Sequence, residues 1–189
     1  MPKPISDDDI KWLIQNVEDI TRLAEKFCWS NNEFGKLLVG WLLSSPFCGC
    51  LPFRPHMWIT GDSSSGKSWV LNNFVRPLLG NNAAYLTGGT TEAGLRAKLR
   101  NDSIPVVIDE FESEDLQESK KRRVVLELLR QASSQTDATI VKSSQDGTAR
   151  TYQICTSALL ASVRSALSFE ANRNRFIACL LYTSPSPRD

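Results

Sequence analysis

Eight consecutive residues, GDSSSGKS at positions 61–68, constrain this chain more than any other part of its sequence. They fit the pattern G-x-x-x-x-G-K-[ST] at each fixed position, namely Gly61, Gly66, Lys67 and Ser68. A short apolar run at residues 57–60 precedes the motif, and an apolar pattern with helical spacing follows it. This context is informative, because a glycine-containing loop between a strand and a helix presents backbone N–H groups to phosphate.

The residue types of the motif indicate a phosphate-binding loop, or P-loop. Its glycines permit the backbone to turn N–H groups toward phosphates, and the helix N-terminus adds partial positive charge. Lys67 would reach the β- and γ-phosphates, and the hydroxyl of Ser68 would ligate magnesium. The alternative, a serine-rich surface loop, does not explain the strand and helix on either side. The residues predicted to contact nucleotide are Gly61, Asp62, Ser63, Ser64, Ser65, Gly66, Lys67, Ser68 and Trp69.

An acidic pair, Asp109-Glu110, follows a second apolar run at residues 105–108. Asp109 would leave a buried strand beside the P-loop and hold Mg²⁺ through water, and Glu110 would polarise the attacking water. Such an acidic pair can also mean only that a strand ends in solvent. Its position after Ser68, with one strand between them, favours a catalytic role. Adjacent Asp and Glu are typical of P-loop ATPases with a catalytic glutamate. The chain has no Asn-Lys-x-Asp segment, which argues against a small GTPase. The predicted ligands are therefore ATP and Mg²⁺.

Short apolar runs alternate with helical patterns along the chain. Strands are predicted at residues 57–60, 83–86, 106–109, 139–141, 154–161 and from 176 onward, and helices at 67–78, 92–99 and 115–132. This alternation predicts an α/β fold, a P-loop NTPase three-layer sandwich whose mostly parallel sheet is covered on both faces. Two earlier helices, the first opening with a capping-box pattern at Ser6, predict an N-terminal helical segment over residues 1–52. The ATPase domain would then span residues 53–178.

The charge balance restricts how this chain could bind nucleic acid. It has 22 basic and 21 acidic residues and a formal net charge of +1, so any contact must come from a local patch. Alternating runs on either side of Gln145-Asp146-Gly147 predict a β-hairpin. A charged helix near residues 112–130 mixes acids and bases, which favours a solvated face. The longest uncharged run, at 37–53, is broken by Pro46 and predicts a buried helix and no membrane span.

Five segments carry a resemblance to a known family. They read GWLLSSPFCGC at 40–50, RPHMWITG at 54–61, TEAGLR at 91–96, PVVIDEFESE at 105–114 and RF at 175–176. With them the chain resembles, over residues 40–178, the ATPase module of phage and prophage primase–helicase proteins. That module is related to the superfamily 3 and AAA+ motors.

The resemblance implies roles that the motifs alone do not give. The hairpin would line a central DNA channel, with Lys142 and Arg150 contacting the backbone of single-stranded DNA. Ser162 would be the sensor-1 residue, Arg175 the arginine finger and Arg173 the second choice for that finger. The implied assembly is a homo-oligomeric ring, expected to be a hexamer. Its implied location is the cytoplasm of a bacterial host cell, with a phage or prophage origin.

The last eleven residues, CLLYTSPSPRD at 179–189, resemble a translated transposase sequencing-library adapter in one reading frame. All of them match, and their prolines add nothing to the preceding strand pattern. We therefore interpret residues 179–189 as adapter-derived, with the natural sequence ending near Ala178. The alternative is a genuine Ser/Pro-rich tail.

These observations predict an ATP-hydrolysing motor, specifically the helicase module of a phage-type DNA replication protein. One alternative is a P-loop ATPase of another mobile-element, defence or packaging system. The other is a nucleotide-binding fragment without turnover.

Overall fold

The computed structural model describes residues 6–112, 116–134, 139–143, 149–164 and 174–183. Its helical elements are α1 (Asp7–Glu25), α2 (Glu33–Ser44), a 3₁₀ segment (Ser45–Cys50), α3 (Lys67–Val70), a π-turn (Leu71–Val75), α4 (Arg76–Leu79), a second 3₁₀ segment (Gly80–Asn82), α5 (Glu92–Leu99) and α6 (Leu116–Ala132). Its strands are β1 (His56–Thr60), β2 (Ala84–Thr87), β3 (Val106–Asp109), β4 (Thr139–Ser143), β5 (Ala149–Gln153), β6 (Ala158–Ser162) and β7 (Phe176–Leu180).

Five of the strands form one sheet in the order β2-β3-β6-β1-β7. All four pairings between these neighbours are parallel. The remaining two strands, β4 and β5, pair with each other in an antiparallel hairpin. The predicted α/β fold with a mostly parallel sheet is therefore confirmed. Strand β6 follows the hairpin in sequence. In the sheet it lies between β1, which leads into the P-loop, and β3, which carries Asp109.

Helices cover both faces of the sheet, as the three-layer prediction requires. On one face, which we call the P-loop face, the buried residues include Leu38, Val39, Met57, Val70, Leu71 and Val107. On the other face, which we call the α6 face, they include Trp58, Leu95, Leu99, Ile108, Val125 and Leu129. Alternate residues of a strand point to opposite faces. Val107 and Ile108 accordingly enter different layers, which fixes the face of each neighbouring residue on β3.

The N-terminal helices pack on the P-loop face. The side chain of Ser6 accepts a hydrogen bond from Asp9 N, while Asp9 accepts from Ser6 N, so the predicted capping box is formed. Ala24 of α1 and Leu38 of α2 are fully buried in the same cluster as Met57 of β1. The helical segment is thus packed directly on the sheet. Its division from the next domain at residue 52 stays a prediction.

Residues beyond Ala178 continue the strand pattern of β7. Cys179 and Leu181 are buried in the P-loop-face cluster. Leu181 N donates to Thr60 O at 2.7 Å, and Trp29 forms an antiparallel bridge with Leu181. The adapter interpretation of residues 179–189 concerns the origin of these codons and stays a prediction.

Two predicted elements differ from the observed ones. The strand predicted at 154–161 begins only at Ala158. Before it, Thr156 Oγ1 donates to Ile104 O, and Ser157 O accepts a hydrogen bond from Val106 N at the start of β3. The helix predicted at 67–78 contains a π-turn, in which Arg76 N donates to Leu71 O. Pro77 has no N–H to continue the α-helical ladder, which accounts for the irregular turn beside it.

The single histidine of the chain, His56, is fully buried and carries no positive charge at neutral pH. Its Nδ1 accepts a hydrogen bond from Ala158 N at 3.0 Å, so Nε2 carries the proton and donates to Leu129 O at 2.7 Å. Burial lowers the pKa of His56 to about 4, and the nearby Arg54 and Arg175 cations add to this effect.

This burial predicts a loss of stability in mild acid. The unfolded chain takes up a proton near the ordinary pKa of 6.5, whereas the folded protein resists protonation down to about pH 4. Stability is therefore full above pH 6.5 and falls as the pH drops, by about 2 kcal/mol between pH 7 and pH 5. The free energy of unfolding, obtained from urea titrations of the wild type and of His56→Gln at pH 7 and pH 5, measures this loss. An equal pH effect in the two proteins would contradict this origin.

Candidate functional site

The candidate site lies at the edge of the sheet where the parallel strands have their carboxyl ends. In the strand register Thr60 pairs with Ser162, and Thr87 pairs with Asp109. Four strands thus end side by side, and the P-loop continues directly from Thr60. In open parallel α/β sheets, ligands bind at this edge.

The P-loop has the backbone geometry that its glycines predict. Gly66 has a φ of 91° and is the N-cap of α3, where Val70 N donates to Gly66 O at 2.9 Å. Ser64 also has a positive φ, of 67°. A Cβ on Gly61 would stand 2.1 Å from Leu181 O, so no larger residue fits at that position. A loop with residues in such conformations can direct successive N–H groups toward one anion.

Lys67 is held within the curve of the loop. Its Nζ donates to Gly61 O at 2.7 Å, to Asp62 O at 2.8 Å and to Ser65 Oγ at 3.3 Å. These bonds place the ammonium group at the N-terminal end of α3, where the helix itself favours anions. The Lys67 ammonium and the N–H groups at the helix end are therefore suitable donors for a chain of phosphate groups. Bound phosphate oxygens would replace the loop oxygens as hydrogen-bond partners of Lys67.

The exposed residues of the loop agree with the predicted nucleotide contacts. Asp62, Ser63, Ser64 and Ser68 are exposed, whereas Ser65 is buried beneath them. Trp69 is also exposed, and its ring meets Phe27 edge-on with ring centroids 6.0 Å apart. The hydroxyl of Ser68 is thus accessible to a cation at the phosphates. The contacts of these residues with nucleotide stay predictions.

Asp109 lies on the same face of the sheet as the P-loop helix. Val107, two residues earlier on β3, belongs to the P-loop-face cluster with Val70 and Leu71, and Asp109 shares its orientation. Because β6 lies between β1 and β3, the ends of those two strands are about 10 Å apart. Asp109 and the P-loop are thus one strand apart at the same edge of the sheet.

The residues fit Mg²⁺ as a shared ligand of protein and phosphate. Among the described residues, no three His, Cys, Asp or Glu side chains cluster in a way that could hold a metal ion. Mg²⁺ is often held by one or two protein oxygens together with phosphates and water. Ser68 and Asp109 can supply such oxygens, and their role as ligands stays a prediction.

Glu110 has the most unusual backbone of the candidate catalytic residues. It is exposed, its φ is 55°, and its N–H donates to Asp109 Oδ1 at 2.9 Å. The left-handed conformation costs a residue with a side chain about 1–2 kcal/mol. Such strain persists where neighbouring structure enforces it, and it clusters at functional sites. The next residue, Phe111, donates its N–H to Ala161 O at 2.8 Å, so the chain stays bonded to β6 after this turn.

Ser162, the predicted sensor-1 residue, is placed differently from the expectation. Its side chain is on the α6 face and is 1% exposed. The hydroxyl accepts a hydrogen bond from Trp58 Nε1 at 2.7 Å and donates to Arg164 O at 2.7 Å. The structure therefore does not bring this hydroxyl to the P-loop. A role for Ser162 at the nucleotide stays a prediction and would require both bonds to change.

The predicted arginine finger lies at the opposite edge of the sheet. Arg175 directly precedes β7, and its carbonyl accepts a hydrogen bond from His56 N at 3.1 Å. The length of β1, about 16 Å for five residues, separates this position from the P-loop. Arg175 is thus not in its own chain's site. Arg173, the second choice, lies outside the described residues.

The predicted DNA-contact residues occupy equivalent positions on the hairpin. Lys142 of β4 pairs directly with Arg150 of β5 in the antiparallel register. Residues that face each other in this way lie on the same side of the ribbon. The turn at residues 145–147 lies outside the described residues. The hairpin prediction is confirmed, and its contact with DNA stays a prediction.

Two residues near the acidic motif were not among the predicted site residues. Gly88 contacts the backbone of Glu110, and Arg122 contacts Gly88. The backbone of Gly88 packs against Glu110 O, and Arg122 Nε donates to Gly88 O at 3.2 Å. The only local signal was a Gly-Gly turn after β2. The contact itself depends on strand pairing between distant parts of the chain. Arg122 was part of a basic run interpreted as solvated, yet its side chain is only 13% exposed.

No described helix has the length and apolar character needed to cross a membrane.

Comparison with known proteins identifies the fold. A scan of protein-family models finds no match, and a sequence search of curated proteins finds none either. Among solved structures, JCV helicase with a bound acetamide derivative matches with a TM-score of 0.52 and 14% identity, over 91% of this chain and 46% of that one. The C-terminal region of NrS-1 matches with a TM-score of 0.51 and 16% identity, over 86% and 38%. The chain thus spans less than half the length of either structure, and it has an α/β fold like that of a helicase domain.

Proposed function

We propose that this chain is the ATP-binding and ATP-hydrolysing motor module of a phage-type DNA replication primase–helicase. The observation that carries the proposal is the convergence of the P-loop and the Asp109–Glu110 pair at one edge of the sheet. A glycine loop, a lysine and two carboxylates in this arrangement suit phosphoryl transfer from a nucleoside triphosphate to water. The bacterial host cytoplasm and a phage or prophage origin are proposed from the family resemblance.

Each site residue has a defined task in this reaction. The N–H groups of the loop and the Lys67 ammonium bind the phosphate oxygens and stabilise the charge that spreads over them. Ser68 and Asp109 would hold magnesium, which when bound would neutralise negative charge on the phosphates. Glu110 orients the attacking water and accepts its proton. Water is the nucleophile, and ADP with phosphate are the products.

We further propose that the module works on single-stranded DNA as a homo-oligomeric ring, expected to be a hexamer. A chain with a net charge of +1 must concentrate its positive side chains to hold DNA. A ring does so by repeating one hairpin around a channel. Lys142 and Arg150, opposite each other on β4 and β5, would contact the phosphates. Arg175, about a strand's length from its own P-loop, would serve a neighbouring subunit's ATP.

Replacing both Lys142 and Arg150 by alanine should remove the stimulation of ATP hydrolysis by single-stranded DNA. Phosphate contacts are insensitive to base sequence and weaken with salt, so the salt dependence of DNA binding should also become shallower. ATPase rates with and without DNA over a salt series measure both effects. A matched control is Lys26→Ala with Lys98→Ala, which removes the same charge from two exposed positions.

Retained stimulation and an unchanged salt slope in the hairpin variant would contradict the DNA-contact assignment. The charged helix α6 would then be the better candidate. On that helix the exposed Lys120 and Lys121 could contact DNA, whereas Arg122 is already engaged with Gly88.

A further inference from the structure

Gly88 and Arg122 contact each other next to the acidic pair Asp109-Glu110. We call these two residues the Gly88–Arg122 brace. Gly88 follows the last residue of β2, whose register partner on β3 is Asp109. Arg122 lies on α6, which runs from this edge of the sheet to the opposite edge, where Leu129 bonds to His56. The brace thus joins three elements next to Glu110.

The contact between Gly88 and Glu110 involves backbone on both sides. A Cβ built on Gly88 would stand 1.9 Å from Glu110 O and 2.7 Å from Glu110 C. Neither atom is the end of a flexible side chain, so even alanine would displace the backbone of Glu110. Gly89, the next residue, has nothing within 4 Å of the corresponding position. The requirement for glycine is therefore specific to position 88.

Arg122 holds Gly88 in place through the Gly88 carbonyl group. Its Nε donates to Gly88 O at 3.2 Å, and its Nη2 lies 3.5 Å from Glu118 Oε2. The Nη1 atom is buried and has no hydrogen-bond partner among the residues that the structure describes. Burial of an unpartnered donor costs free energy, and such a group in a native structure needs an explanation. The need to hold Gly88 against the backbone of Glu110 would explain why the Arg122 side chain is buried here.

Glu110 needs this support because its backbone is strained. A residue with a φ of 55° returns to the extended or right-handed helical region unless its surroundings prevent it. Its N–H is held by Asp109 Oδ1, and its carbonyl oxygen is confined by Gly88. Phe111 N, one residue later, donates to Ala161 O at 2.8 Å. The turn is thus held on both sides of Glu110.

We propose that Gly88 and Arg122 are positioning residues, which hold the backbone of Glu110 so that its carboxylate can orient the attacking water. The inference rests on the proposed function for the role of the carboxylate, but not for the contact itself. Removing the contacts of the brace should displace Glu110. The P-loop, which lies between β1 and α3, should keep its conformation. Nucleotide binding and hydrolysis should therefore respond differently.

The glycine pair provides the first test. Gly88→Ala should lower kcat for ATP hydrolysis by about 10²-fold, the effect expected when a catalytic group moves by about 1 Å. The Kd for Mg·ATP, measured by calorimetry, should stay unchanged. Gly89→Ala should match the wild type in both quantities. If Gly88→Ala and Gly89→Ala have equal kcat values, the positioning role is refuted.

The arginine provides a second test that does not add a clashing atom. Arg122→Gln should lower kcat by about tenfold without changing the Kd for Mg·ATP, because one hydrogen bond from a charged donor is lost. Arg122→Lys, which keeps a cationic donor near Gly88 O, should recover part of that loss. Lys98→Gln removes the same charge from an exposed position on α5 and should retain the wild-type kcat. Equal effects of Arg122→Gln and Lys98→Gln would overturn the role of Arg122.

Two further measurements separate positioning from general damage. In a Glu110→Gln background, Gly88→Ala should cause little additional loss of kcat, because both changes disable the same carboxylate. Fully additive losses would contradict the proposal. In nucleotide-free protein, the backbone amide NMR signals of Glu110 and Phe111 should shift in Gly88→Ala and not in Gly89→Ala. A wild type without ATP turnover would refute the proposed function, and the NMR comparison would then decide the brace by itself.

Discussion

We expect Lys67→Ala to abolish detectable binding of Mg·ATP. The Lys67 ammonium is the positive charge held within the curve of the P-loop, bonded to two loop carbonyls and to Ser65 Oγ. Alanine leaves the phosphates with backbone N–H groups and the helix end alone. Losing a charge-assisted contact to the β- and γ-phosphates should weaken binding by at least about 10²-fold. Isothermal titration calorimetry with ATP and magnesium measures the change.

Two controls distinguish lost chemistry from a lost fold. Lys98→Ala removes the same charge from an exposed position at the end of α5 and should bind Mg·ATP as the wild type does. Circular dichroism and thermal unfolding should show that Lys67→Ala still folds, because Lys67 belongs to no core cluster and its partner Asp62 is exposed to water. An affinity for Mg·ATP equal to that of the wild type would contradict the assignment of this loop.

The elements that depend on local chemistry could be predicted from the sequence. Helix α5 has its predicted bounds, and it begins where expected because Thr91 Oγ1 accepts a hydrogen bond from Gly94 N and caps the helix. Strands β1 and β3 agree with prediction to within a residue, since each is a short apolar run bounded by turn residues. The P-loop motif likewise specifies its own conformation through Gly66. Hence the local part of the site was predictable.

The relations between distant segments were not predictable in the same way. A pattern of alternating strands and helices implies a parallel sheet, but it does not give the strand order that places β6 between β1 and β3. Which face Ser162 occupies depends on which residues of β6 point to each layer, and therefore on how β6 is placed against its neighbours. His56 Nδ1, far away in sequence, accepts a hydrogen bond from Ala158 N, so this placement is set by tertiary structure. The contact of Gly88 with Glu110 is non-local for the same reason.

Replacing Glu110 by glutamine should separate ATP binding from ATP hydrolysis. The side chains have nearly the same shape, but the amide cannot accept the proton of the attacking water. Glu110 is exposed at the end of β3, and its backbone bonds to Asp109 and Glu112. Lys67 and the loop N–H groups should therefore bind Mg·ATP as before. Hydrolysis should slow by about 10²–10⁴-fold, the usual contribution of a general base.

Single-turnover hydrolysis together with calorimetry gives the two quantities for Glu110→Gln. Glu112→Gln is the matched control, because Glu112 lies two residues further on and its carboxylate accepts a hydrogen bond from Val163 N. Its amide oxygen can still accept that bond, so this variant should hydrolyse ATP at close to the wild-type rate. The separation of roles would fail if Glu110→Gln lost affinity for Mg·ATP in proportion to its loss of hydrolysis. Glu110 would then support the structure of the site, and the proton acceptor would have to be sought elsewhere at the carboxyl edge of the sheet.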